Sequence, residues 1–164
     1  MPKKNYRTTF SFKKLQRQFP QLVTDAINVI GRRLTLSIKQ GVDKGQDING
    51  SPFERLSNNT KKLGGRKPLK RTGKLKKGLT LTQATISKPQ FVIEMSAKSR
   101  GEVYGAFHNQ GYTNSHKPKQ WFKGAVIPKR EWFGITKDMR TGGKNLKNAM
   151  AEISPRIASA WKKI

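Results

Sequence analysis

The stretch from Pro20 to Gly41, PQLVTDAINVIGRRLTLSIKQG, decides the fold. Leu22, Val23, Ala26, Ile27, Ile30, Leu34 and Ile38 recur at steps of three and four, so they fall on one face of an amphipathic helix. Leu15 and Phe19 precede them in phase. Pro20 suits the first turn, where a missing donor costs nothing, and Asp25 early and Lys39 late follow the helix dipole. Gly41 is the predicted stop.

Upstream, residues 1–12 carry Lys3, Lys4 and Arg7 with only a few large apolar side chains, and read as a basic N-terminal arm. Residues 13–164 read as one α+β domain, a length that buries a modest core without metals or disulfides. Its predicted order is a long N-terminal amphipathic helix, a basic loop, a small antiparallel β-sheet and a C-terminal helix. The loop covers 42–78, where the apolar period disappears, with a short helical turn expected near Ser57 to Leu63.

Beyond it, Leu79, Leu81 and Ile86 lie among threonines, and Phe91, Val92, Ile93 and Met95 follow Lys88-Pro89, which predicts a two-stranded hairpin. Val103 to Phe107 predicts a short strand or helical turn, and Gly124 to Pro128 a strand ended by proline. Leu146, Ala149, Met150, Ile153, Ile157, Ala160 and Trp161 keep a helical spacing, and Pro155 within it predicts a kink or break.

Charge is the strongest compositional signal. Thirty-five Lys and Arg stand against nine Asp and Glu, a formal net charge of +26. Such an excess repels itself in a compact chain and favours a polyanion or an acidic partner. The densest run holds Lys61, Lys62, Arg66, Lys67, Lys70, Arg71, Lys74, Lys76 and Lys77, and no acid separates Glu54 from Glu94. Gly64, Gly65 and Pro68 interrupt it, so it reads as a loop that binds a phosphate backbone or an acidic protein groove.

Catalytic patterns are missing. There is no Cys, and the two histidines, His108 and His116, lack the spacing of a zinc pair. Glu94, Glu102, Glu131 and Glu152 fall on different predicted elements, which argues against an acid/base pair or a nuclease centre. No phosphate-loop pattern occurs, so neither cofactor nor nucleotide is expected. Trp121-Phe122 and Trp132-Phe133 read as packing aromatics ahead of base-stacking ones. Nor is there a secretory signal or a run of eighteen apolar residues, so no membrane partner is expected.

Four segments then occur in an order that resembles the phage virion morphogenesis, or tail completion, family. The first is Gly45 to Phe53, with Gly50 and Pro52, running on to Leu56 and Thr60; the second is Pro68 to Leu75, with Leu69, Thr72 and Gly73. The third, Tyr104 to Gly111, is similar to a Tyr-Ala-x-x-His-x-x-Gly element, with Gly105 where a small residue is usual and His108 in its place. The fourth is Ile127-Pro128-Lys129-Arg130-Glu131-Trp132-Phe133-Gly134. Physically, all four read as fold-maintaining: Gly73 and Gly111 as turn residues, Pro128 as a strand end before Trp132 and Phe133 enter the core.

The resemblance implies a non-enzymatic structural virion protein, a tail-completion or head-to-tail connector subunit. It implies a ring of identical subunits, expected as a hexamer, at the neck or tail top of a tailed bacteriophage, assembled in the host cytoplasm. The implied partners are copies of itself and neighbouring neck and tail-tube proteins, with DNA passing through the channel. Charge alone equally fits a nucleic-acid-binding protein of ribosomal or nucleoid type.

Overall fold

A computed structural model describes residues 7–9, 19–56, 58–62, 67–70, 73–96, 98–99, 102–113 and 126–161. Arg66, Arg71, Thr72, His116, Trp121 and Phe122, all singled out above, lie outside the described residues, as do Leu15 and most of the 1–12 segment. The backbones of Thr60, Tyr104 and Trp161 are described and their side chains are not.

The predicted first helix is α1, Pro20–Lys44, and it is the axis of the molecule. It buries more than one stripe because it is covered on two sides. Ile27, Leu34, Ile38 and Val42 face the sheet-side core with Phe91, Ile93 and Met95, while Val29 faces Ala149 and Ile153 on the other side. Each fully buried aliphatic side chain of this kind contributes about 1.5–3 kcal/mol of transfer free energy. Gly31 lies mid-helix, where a Cβ would stand 2.9 Å from the Phe91 ring, so its absence lets the helix settle on that ring. Gly41 does not stop the helix, since its backbone stays helical. Gly45, left-handed at φ 76°, does so one turn later, and the Gln46 N–H returns to the Gly41 carbonyl at 2.9 Å.

The sheet is antiparallel, with β1 (Arg7–Thr9), β2 (Leu79–Thr82) and β3 (Val92–Met95) in the order β1-β3-β2. Leu81 pairs with Ile93 and Leu79 with Met95, and Arg7 pairs with Glu94 on the other side of β3. The hairpin is as predicted, except that Ile86 is not on a strand: it lies exposed in the turn held by the Thr85 and Lys88 backbones. An edge strand from the arm had no alternating pattern to announce it.

The 42–78 segment is not one open loop. It contains α2 (Asn58–Lys62), where the helical turn is predicted, and α3 (Lys74–Lys77). Two small ribbons follow: β4 (Lys98–Ser99) with β5 (Glu102–Val103), then β6 (Tyr112–Thr113) with β7 (Val126–Ile127), flanking α4 (Tyr104–Gln110). After α5 (Lys137–Arg140) comes α6 (Lys144–Trp161), antiparallel to α1 through Asn145 to Gln40 and Arg32 and Arg33 to Glu152.

Two readings of α6 need correction. The helix runs through Pro155 without a break, because the ring and the carbonyl it frees at Ala151 both face solvent. Met150 and Ile157 are exposed, because only Ala149 and Ile153 of the apolar positions reach full burial against α1.

Candidate assembly site

The four motifs converge. The first closes on itself: the Phe53 N–H donates to the Gly45 carbonyl at 2.7 Å, and Asp47 Oδ1 accepts from the Asn49 and Ser51 amides at 2.8 Å each. Gly50, at φ 86°, makes the turn, Phe53 is buried, and Pro52 bridges Gln46 at the exposed surface. This closed loop is then tied to the fourth motif. The Ile48 N–H donates to the Glu131 carbonyl at 2.7 Å, and its own carbonyl accepts from the Lys137 amide at 2.5 Å. Gly134, at φ 153°, leaves room for the Ile48 side chain, which a Cβ would meet at 3.2 Å.

The fourth motif is also tied to the third. The Arg130 N–H donates to the His108 carbonyl at 2.7 Å, the Phe133 N–H to Asn109 Oδ1 at 2.9 Å, and Trp132 Nε1 to the Gly105 carbonyl at 3.1 Å. Gly111, left-handed at φ 76°, lies against the Lys129 backbone, and beside it Tyr112 pairs with Ile127. Trp132 is 1% exposed and Phe133 5%, with ring centroids 5.9 Å apart, so this aromatic pair is core and is inaccessible to bases. Pro128 ends β7 as predicted, and Ile127 and Pro128 are half-buried.

The second motif enters through its leucines. Leu75 on α3 is buried and stands close to Gly105, while Leu69, at the unusual φ of 61°, packs partly buried on the same core. Gly73, also left-handed, opens α3. Leu56 is half-buried, and Thr60 lies on α2.

Two titratable groups are enclosed in this knot. Arg130 is 6% exposed, its Nη2 reaches the Glu54 carbonyl at 3.3 Å, and burial lowers its pKa while the Glu54 charge acts the other way. Burial, and next the Arg130 charge, push His108 down from 6.5 to about 4. His108 is therefore neutral at pH 7, a packed imidazole beside a cation. Among the described residues no cluster of His, Asp or Glu has the makings of a metal site.

The basic segment is organised around Asp43, which the sequence reading missed. Lys70 Nζ lies 3.2 Å from one of its oxygens and Lys76 Nζ 2.6 Å from the other. The hydrogen bond from Lys76, followed by that from Lys70 and both charges, outweighs desolvation and holds the Asp43 carboxyl below its ordinary range. A signal existed: Asp43 is an acid in the last turn of α1, where the dipole disfavours it. Its position makes sense once two lysines fold back onto it. Lys61, Lys62, Lys67, Lys74 and Lys77 are exposed. Hence the nine predicted cations do not act alike, since two of them pin the segment to α1 and others face solvent.

A model of the phage virion morphogenesis family matches residues 5–151, which include all four motifs. The chain belongs to the phage virion morphogenesis family. In this family member the residues that carry the resemblance form a structural knot of loops, and the protein has a structural role in building the phage particle. No curated protein and no solved structure matches the chain. No helix among the described residues is long and apolar enough to cross a membrane.

Proposed function

We propose that this family member is a tail-completion or head-to-tail connector subunit, forming a ring, expected as a hexamer, at the neck around the DNA channel. The observation that carries the reading is the family match across the motif knot, joined by a cationic segment fixed to the body at Asp43. A cationic segment tied to the body through two of its lysines suits a lumen or a rim facing phosphate, because Lys61, Lys62, Lys67 and Lys77 stay exposed where a polyanion can reach them. Neighbouring neck and tail-tube proteins are the other partners, and no catalytic step is assigned.

The test is electron microscopy of particles made without the protein. Separate DNA-filled heads and unjoined tails, or tails with abnormal upper ends, are expected. Normal infectious particles would reject the role. The alternative, a nucleoid-type DNA or RNA binder, requires tight binding by the free monomer at low salt, and a filter-binding titration across salt concentrations distinguishes it.

A further inference from the structure

Residues 58–77 hold nine cations and no acid. The acid that two of them reach, Asp43, belongs to α1. It sits in the last turn of that helix, where the negative end of the dipole adds to its own charge. Helix end and carboxylate together attract ammonium groups as a phosphate does. Lys70 and Lys76 take one carboxylate oxygen each, and their hydrogen bonds hold the carboxyl below its ordinary range, so it stays ionised at neutral pH.

The contact is also replaceable. The three side chains are 33–40% exposed, and ion pairs so open to water are weak and screened by salt. An arriving polyanion therefore competes with Asp43 for the same two lysines. Lys61, Lys62, Lys67 and Lys77, by contrast, are exposed, and none of them reaches Asp43.

Among polyanions, this surface fits the backbone of duplex DNA. The described leucines of the segment turn inward, Leu75 buried and Leu69 packed on the core, so they give a protein partner no apolar anchor. The segment has no aromatic residue on which the bases of a single strand could stack. Lysine point charges without either feature suit phosphates of any sequence. Resting on the neck reading above, we propose that Asp43 is an internal substitute for DNA phosphate, which keeps Lys70 and Lys76 from the duplex and leaves Lys61, Lys62, Lys67 and Lys77 to make the contacts. Each subunit then holds DNA with fewer charges than its sequence carries, and the duplex can still slide past.

Fluorescence anisotropy of the full chain with a labelled duplex of mixed sequence, repeated over a salt series, tests it. Each phosphate neutralised adds about 0.9 to the slope of log K against log salt. Asp43→Asn (D43N) should therefore steepen the slope by about 1–2. D43N/K70Q/K76Q should return it to the wild-type value, and K61Q/K62Q/K67Q/K77Q should flatten it by about 3–4. Glu54→Gln removes an equal charge without releasing either lysine, and should leave the slope as it is. K70Q/K76Q alone should also leave it as it is, which tests the same claim with Asp43 intact. A D43N slope equal to wild type, a triple variant as steep as D43N, or a K70Q/K76Q slope flattened by about 2 would overturn the proposal. So would tighter binding to a single strand or to polyglutamate than to the duplex. Normal particles formed without the protein would reject the neck role whatever the slopes, whereas unchanged slopes beside unjoined heads and tails would reject only the role of Asp43.

Discussion

Asn28 is a polar residue on a buried helix face, and its replacement by alanine gives a sharp test of how the hairpin is attached. Its side-chain amide donates to the Ala84 carbonyl at 3.1 Å, and its oxygen accepts the Ala84 N–H at 2.7 Å. Both residues are buried, so Asn28→Ala leaves a buried donor and a buried acceptor without partners. Each such group costs about 1–3 kcal/mol. Because Gln83 and Thr85 on either side are exposed, water can reach the site, and the lower end applies: roughly 2–3 kcal/mol in total. For a chain of this length that is a fall in Tm of about 4–12 °C. Urea denaturation followed by circular dichroism is the assay, read as a lower midpoint at unchanged m. An exposed neighbour, Thr80→Ala, is the control and should stay within about 0.5 kcal/mol. A loss below about 0.5 kcal/mol for Asn28→Ala would refute the claim that this clamp holds the β2–β3 connection to α1.

Gly111→Ala and Gly45→Ala share a φ of +76°, yet only at Gly111 would the new Cβ meet backbone, that of Lys129 at 3.1 Å. The first should cost about 2–4 kcal/mol and the second about 1–2 kcal/mol; equal losses in denaturant melts would contradict the close approach. Because the His108 pKa is depressed to about 4, its stabilising contribution is complete above its unfolded value of 6.5 and is lost as pH falls toward 4. His108→Gln should flatten the stability profile in that window, and an unchanged slope would count against the buried neutral imidazole. Asp43→Asn breaks two half-exposed ion pairs, so it should cost about 1 kcal/mol or less in a melt while leaving Lys70 and Lys76 more susceptible to amine-labelling reagents. Unchanged labelling would show that the pairs do not hold the segment.

The helices and the hairpin were legible because their information is local. The three- and four-residue steps from Leu22 to Ile38 and the alternation around Leu79 and Leu81 each express one period. What the period could not tell was where α1 ends, since Gly41 and Gly45 differ only in a backbone angle that the following loop imposes. The convergence of the motifs was hidden for a different reason. Ile48 meets Glu131 backbone to backbone, the Arg130 side chain reaches the Glu54 carbonyl, and the Asn109 side chain accepts the Phe133 N–H, so each contact has a backbone group on at least one side, which every residue carries and no side-chain pattern marks. Likewise, the run of nine cations was easy to see, but its division by Asp43 needed the helix end and α3 brought together in space.

The tie between Ile48 and Glu131 also sets an order of events during synthesis. Gly45 to Phe53 emerges early, and its partner strand of loop emerges only when most of the chain has been made. Contacts so far apart in sequence are closed late and slow the search for the native state. Until residues 127–134 leave the ribosome, α1 and the β2–β3 hairpin can form while the first motif lacks its anchor. A truncation that stops before Ile127 should therefore yield helical but loosely joined chains, and refolding of the complete protein should be paced by the closing of this loop cluster.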